Sequence, residues 1–295
     1  MFKDKLVIVR GGGDIATGTI HRLHKSGFRV LVLEIEHPAA IRRQVSFCEA
    51  VYSGSTKIEG VTGARVSKVI KKESDLTKKV RLELESIWDR HLVPVMIDPE
   101  GVSIQALHPE IVIDGILAKK NLGTKRQMAP LTIGFGPGFV AGEDVDVVIE
   151  TMRGHNLGRI ITEGPALPDT KIPGNIAGYT KERVLRSPEA GIVYPVHRIG
   201  DVVAVDDVVM EVHADDGRIV PVKATIPGII RGMIKEGFSV KKGFKIGDID
   251  PRVGELENCF TISDKARCIA GSVLEVICGF LTESEEEAAA AKRIV

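Results

Sequence analysis

The order of apolar and polar positions divides the chain into two kinds of pattern. In the first half, short apolar runs alternate with amphipathic stretches: Leu6–Val9 is strand-like, Asp14–Lys25 reads as a helix, and Arg29–Leu33 is a second apolar, β-branched run. A further helix is expected from Ser74, a candidate N-cap, because Leu76, Val80, Leu84, Ile87 and Trp88 fall on one helical face. Val93–Ile97 and Ile111–Ile113 are apolar almost throughout, as strands buried on both sides are. This alternation predicts a mainly parallel, doubly wound (Rossmann-like) α/β sheet over residues 1–165, with any ligand at the carboxyl ends of its strands.

The second half repeats itself. A slide of 37 residues aligns Gly191-Ile192-Val193 with Gly228-Ile229-Ile230, Val196 with Met233, Gly200 with Gly237, Val203 with Val240 and Val209 with Ile246. Each copy is an apolar strand, a glycine turn and a further strand, so residues 187–252 are expected to form a second, all-β domain, a barrel-sandwich of the biotinyl/lipoyl kind. Such carriers display a lysine at the hairpin tip, but here the tip is His213-Ala214-Asp215-Asp216-Gly217-Arg218, and Lys223 falls in the returning strand. The domain therefore reads as a docking or interface module. Residues 253–295 form a C-terminal helical segment in which Ile269, Val273, Val276, Ile277 and Phe280 either pack back on a domain or make a homo-oligomer contact, before an acidic, solvated run from Glu283 to Glu287.

Composition narrows the function classes. Lys+Arg and Asp+Glu both number 40, so the formal charge is zero, and no bulk field is present to hold nucleic acid or an acidic membrane. The cluster Lys71, Lys72, Lys78, Lys79 and Arg81 is interleaved with carboxylates and reads as a solvated face. No apolar run approaches the roughly 18–20 residues of a membrane helix, and the start of the chain has no secretory pattern. Cys48, Cys259, Cys268 and Cys278 have no Cys-x-x-Cys spacing, so neither a metal site nor a disulfide framework is expected, and a cytoplasmic setting with reduced thiols follows.

The 31 glycines are concentrated where chemistry is expected. Gly11-Gly12-Gly13-Asp14-Ile15-Ala16, followed by Thr17 and Gly18, satisfies G-x-G-x-x-A between a strand and a helix, where glycines let a helix N-terminus approach a phosphate. Glu34, 23 residues after Gly11, ends the second strand where an acidic residue accepts hydrogen bonds from a ribose, and Glu36 competes for that role. A strand-to-helix turn also needs glycine with nothing bound, and Asp14 puts negative charge beside the phosphates. A second loop, Gly134-Phe135-Gly136-Pro137-Gly138 with Gly142, is either another wall of the same cleft or a wide surface turn. Arg153, His155 and Arg159 lie between glycines, which suits recognition of an anion, although a structural hydrogen bond is the plainer role for His155. Arg42 and Arg43 are candidates to add positive charge. Cys48, with no adjacent base or cation, reads as a small core residue rather than a sulfur or selenium carrier.

Taken together, these stretches resemble the YqeB-type accessory proteins of selenium-dependent molybdenum hydroxylase systems, themselves distantly similar to XdhC/CoxI maturation factors. The matching runs are Arg10–Gly18, Glu36-His37-Pro38 with Arg42-Arg43, Ala118–Thr124, Gly134–Gly138, Thr151–Arg159 and Gly247–Arg252. The resemblance implies a role in maturing or inserting a selenium- or sulfur-modified molybdenum cofactor, with a molybdenum hydroxylase apoprotein as partner. It assigns no catalytic residue. Three functions follow: a maturation factor holding a phosphate-bearing ligand, either NAD(P) or the molybdenum cofactor; an NAD(P)-dependent oxidoreductase, for which no Tyr-x-x-x-Lys relay is recognisable; and a non-catalytic docking scaffold.

Overall fold

The computed structural model describes residues 2–293, with the side chains from residue 285 onward, and so much of the Glu283–Glu287 run, outside the described residues. In the first part the chain runs β1 (Leu6–Arg10), α1 (Asp14–Lys25), β2 (Arg29–Glu34), α2 (Ala50–Ser53), β3 (Ser55–Ile58), β4 (Val61–Val69), α3 (Lys78–Asp89), β5 (Val93–Ile97), α4 (Ser103–Leu107), β6 (Ile111–Asp114) and β7 (Leu131–Phe135). It continues through β8 (Val140–Ala141), β9 (Val147–Ile149), β10 (Ile160–Ile161) and β11 (Gly164–Pro165). The second part is β12 (Val184–Arg186), β13 (Gly191–Pro195), β14 (Val202–Val203), β15 (Val208–Ala214), β16 (Ile219–Lys223), β17 (Gly228–Met233), β18 (Ser239–Val240) and β19 (Lys245–Asp250), and α5 (Asp264–Arg293) follows.

The main sheet has nine strands in the order β10-β9-β7-β6-β1-β2-β5-β4-β3, parallel through its middle and antiparallel at both edges. This corrects the expected doubly wound Rossmann-like sheet. After β2 the chain makes no simple helical crossover to a neighbouring strand. It first turns a β3–β4 hairpin, and β5 then enters between β4 and β2. Nor does an α-helix join β6 to β7, where the connection holds only a 3-10 turn at Arg126–Met128, so the alternation of strand and helix fails on that side. The hairpin went unread in the sequence, although Ile58-Glu59-Gly60-Val61 carries a signal: Glu59 and Gly60 both have positive φ and link two directly paired strands.

Helices cover the two faces unequally. On one face α1 and α5 share a core with Val7, Val9, Val32, Val95 and Ile113, to which α5 contributes Ala266, Ile269, Val273, Ile277 and Leu281. The C-terminal helix thus packs back onto the first sheet. A Cβ on Gly18 would stand 2.7 Å from the Ala266 carbonyl oxygen, so α1 approaches α5 that closely because residue 18 has no side chain. On the other face Val80, Leu84 and Ile87 of α3 pack over Ile8, Leu31 and Met96. The cap of α3 is Thr77 rather than Ser74: its Oγ1 accepts from Val80 N, while Ser74 lies in a preceding 3-10 turn.

The second part forms two four-stranded antiparallel sheets, β12-β19-β17-β14 and β16-β15-β13-β18, around one apolar core that includes Val193, Val212, Ile230 and Ile249. The sequence repeat recurs in their pairing: Gly191 and Gly228 each start a strand against the carbonyl of His213 and Asp250 respectively, again 37 residues apart. The expected combination of a Rossmann-like domain with a biotinyl/lipoyl barrel-sandwich is replaced by a large mixed sheet plus smaller antiparallel sheets. Loop 38–43 joins the two parts: Met233 N donates to Ile41 O at 2.8 Å, and Arg43 Nε donates to Met233 O at 3.0 Å.

Candidate functional site

The carboxyl ends of β1, β2, β5 and β6 open into a cleft of about 520 Å³. Its floor and walls include Arg10, Gly11, Gly13, Asp14, Glu34, Asp98 and Gly115, and its far side is closed by Arg42 from the joining loop and by Lys245 and Asp248 of β19. Between them lies an apolar wall of Ile15, Leu33, Ile35, Pro38, Ile41, Ile116 and Leu122. An apolar cavity with a few convergent polar groups at the end of parallel strands is a ligand site in general form.

The glycines of the first loop divide their work. Gly11, at φ +87°, passes so close to Ile116 that a Cβ would lie 3.0 Å from its backbone. Gly12 is held by the chain itself, its N–H donating to Glu34 Oε1 at 2.7 Å and its carbonyl accepting from Cys48 N at 3.0 Å. Gly13 caps α1 with extended backbone, no side chain caps the helix, and a Cβ there would meet nothing within 4 Å. The end of the helix dipole therefore faces open space at Gly13. Ala16 and Thr17 are buried, with Thr17 Oγ1 accepting from Phe47 N, so these two motif residues hold the loop in place.

Charge in the cleft is compensated. Arg42, nearly buried, stands 3.5 Å from Asp14 Oδ2 and spends its other terminal nitrogen on the carbonyls of Asn258 and Thr261, which answers the objection that Asp14 repels an anion. Burial raises the Glu34 carboxyl above its ordinary range, against the lowering effect of the Gly12 and Ile35 amides that it accepts from. Arg10 and Asp114 end two adjacent paired strands and meet at 3.6 Å, with Thr124 Oγ1 accepting from Arg10 and donating to Asp114 at 2.6 Å. Burial raises the Asp114 carboxyl too, with the hydrogen bonds from Thr124 and Ile116 N pulling it back. Asn121 shapes the loop that delivers Thr124, its Oδ1 accepting from Gly123 N and Thr124 N. Sequence reading missed this trio, although a charged residue at the carboxyl end of each of two apolar runs was visible. Cys48 also borders the cleft, but its thiol is buried and pushed well up by burial and by Glu34, which keeps it protonated.

The other candidates lie elsewhere. Gly134 and Gly136 are packed against Phe139 and Thr151, and Gly138 against the backbone of Lys120; none borders the cleft. Their loop instead places Pro137 in a neighbouring groove with Lys119, Arg153, Lys245 and Lys265. Arg153 makes a two-pronged pair with Asp264, 2.9 Å on each side, and this holds the Asp264 carboxyl far below its usual range. His155 and Arg159 are exposed, outside the cleft. Arg43 is turned away, paired with Glu49 at 3.1 Å. Among the described residues, no helix is long and apolar enough to cross a membrane.

Fold and site together define a mixed α/β chain with a glycine-loop cleft closed by an antiparallel β unit. Its sequence is 45% identical over 273 residues to the uncharacterized protein YqeB of Escherichia coli K12, a similarity that covers 92% of this chain and supports the YqeB family. The chain spans 47% of that protein's length. No protein-family model matches. Solved structures similar to it include an aspartoacylase family protein of Mesorhizobium loti, 14% identical, TM-score 0.28, over 83% of this chain and 84% of that one. Another is the ectoine utilization protein EutE (DoeB) of Ruegeria pomeroyi, 10% identical, TM-score 0.28, over 83% and 84%. A third is a succinylglutamate desuccinylase/aspartoacylase of Rhodobacter sphaeroides, 12% identical, TM-score 0.26, over 84% and 85%. Likenesses at these scores carry no argument about this chain.

Proposed function

We propose that this chain is a maturation factor for a selenium-dependent molybdenum hydroxylase, and that its Gly11–Gly13 cleft holds a phosphate-bearing heterocycle, either the molybdenum cofactor or a nucleotide. One observation carries the binding reading: the uncapped, open N-terminus of α1 at Gly13 shares a cavity of about 520 Å³ with Arg42 and an apolar wall. The helix end suits the phosphate, Arg42 offsets the Asp14 carboxylate beside it, and Ile15, Leu33, Ile35 and Ile116 offer a wall to a flat ring. The maturation role rests on the YqeB resemblance, and the hydroxylase apoprotein is the partner it implies.

Calorimetric titration with molybdopterin, NAD and NADP tests the binding reading. Saturable heat from one of the three is expected, and absence of heat from all of them overturns it. An oxidoreductase is favoured by one specific observation, the position of Glu34 beside Gly11 and Gly13, although both its oxygens already accept backbone amides. Turnover of reduced nicotinamide, followed by its absorbance, separates that reading from a holding role.

A further inference from the structure

A second cavity of about 410 Å³ lies apart from the Gly11–Gly13 cleft, where α5 begins against the β unit. Arg231 of β17 lines it and is 9% exposed, yet its Nε has no hydrogen-bond partner among the described residues. The carboxylate paired with it, Asp250, stands 3.7 Å away, an ion pair without a hydrogen bond. Asp250 is instead taken by Arg252, which donates from Nε at 2.9 Å and from Nη2 at 2.7 Å. The carboxylate that lines the cavity, Asp264, is taken on both oxygens by Arg153. Three guanidiniums thus face two carboxylates that are already satisfied, and a buried guanidinium is left over. Buried donors are normally paired, so one that is not calls for an explanation.

Independent features of the same cavity indicate what would pair it. The 30-residue α5 begins at the cavity with Asp264, preceded by Ser263, whose Oγ accepts from Ala266 N, and the remaining positive end of that helix's dipole adds to the excess cation. Asn175, Asn258 and Thr261 line it as neutral polar groups. Arg42 fixes this wall through the Asn258 and Thr261 carbonyls. The donors converge from the β unit, the start of the helix and the 175–177 segment. A carboxylate presents one planar edge, whereas a tetrahedral oxyanion presents oxygens in several directions.

We propose that this cavity is a second anion site, binding the phosphate group of a small phosphomonoester through Arg231 and the start of α5. It does not depend on the ligand assigned to the Gly11–Gly13 cleft. Glycerol phosphate and inorganic phosphate, titrated by calorimetry into the full chain, are the probes, with succinate as the dicarboxylate control. The titration is run in the Gly13→Asp background, where the first cleft carries an extra carboxylate, so that failure of one site does not count against the other.

Saturable phosphate binding that survives Gly13→Asp and weakens at least about tenfold in Arg231→Gln is the expected result. Because Arg231 is buried, Asn175→Asp serves as a second variant: residue 175 is exposed, and the substitution adds a competing carboxylate to the cavity while keeping the Arg231 side chain. It should weaken binding by a similar factor. No saturable phosphate binding, affinity unchanged in the folded Asn175→Asp protein, or succinate bound more tightly than either phosphate probe would each overturn the proposal.

Discussion

Gly13 and Glu34 show how single residues separate binding from folding. Gly13 is an N-cap with room for a side chain, and aspartate is among the best N-caps, so Gly13→Asp should leave Tm unchanged or raise it while its carboxylate repels an anion at the helix end. Thermal unfolding beside the calorimetric titration checks both halves: a folded protein that still binds would contradict the role given to α1. Glu34 predicts a pH effect. Its folded carboxyl is raised by burial, so the stability it contributes is full below the ordinary carboxyl value and is lost as pH rises through the raised folded value. Glu34→Gln should therefore flatten the fall of Tm across that window. It should also lower the acid-side Tm, because one of the Gly12 and Ile35 amides loses its acceptor. An unchanged pH profile would show that Glu34 ionises as an exposed group does.

Among the elements, the packing of α1 on α5 is the most sensitive to a single atom. Gly18→Ala places a methyl 2.7 Å from Ala266 O, and because the obstacle is backbone, the helices must move apart. A loss of about 1–3 kcal/mol in denaturant unfolding is expected, and a neutral result would mean that the two helices slide freely. This contact also marks what the sequence could disclose. Local signals were legible: α1 runs from Asp14 to Lys25 as its pattern indicates, and β1 and β2 extend the expected runs by one residue each, to Arg10 and Glu34. The insertion of β5 between β4 and β2 was not legible, because strand order depends on pairing between distant segments, and both β5 and β6 are apolar enough to sit at several interior positions. The same holds for the cleft. Gly11–Gly13 and Glu34 were visible as a motif, whereas the contributions of Lys245 and Asp248 needed the β unit to fold back over it. The glycines at 134, 136 and 138 showed equal density but answer to close packing against Phe139, Thr151 and Lys120.

At the scale of the whole molecule, the chain closes on itself twice. Loop 38–43 ties the first sheet to the β unit, and α5 returns from that unit to cover the first sheet's core. A chain ending at Ile262 would expose the apolar face over Ile20, Val7 and Ile133, so it should bind hydrophobic dye and lose cooperative unfolding. Retention of a sharp transition would show the core to be complete without α5. Since both closures border the cleft or brace the residues that do, ligand binding there should stabilise the two parts together. The most direct test of the central claim is mass spectrometry of the small molecule carried by the natively purified protein, compared between wild type and Gly13→Asp. A phosphate-bearing heterocycle at near one equivalent in the wild type and absent from the folded variant is the predicted result, and equal occupancy in both, or a wild-type protein carrying no such molecule, would contradict it.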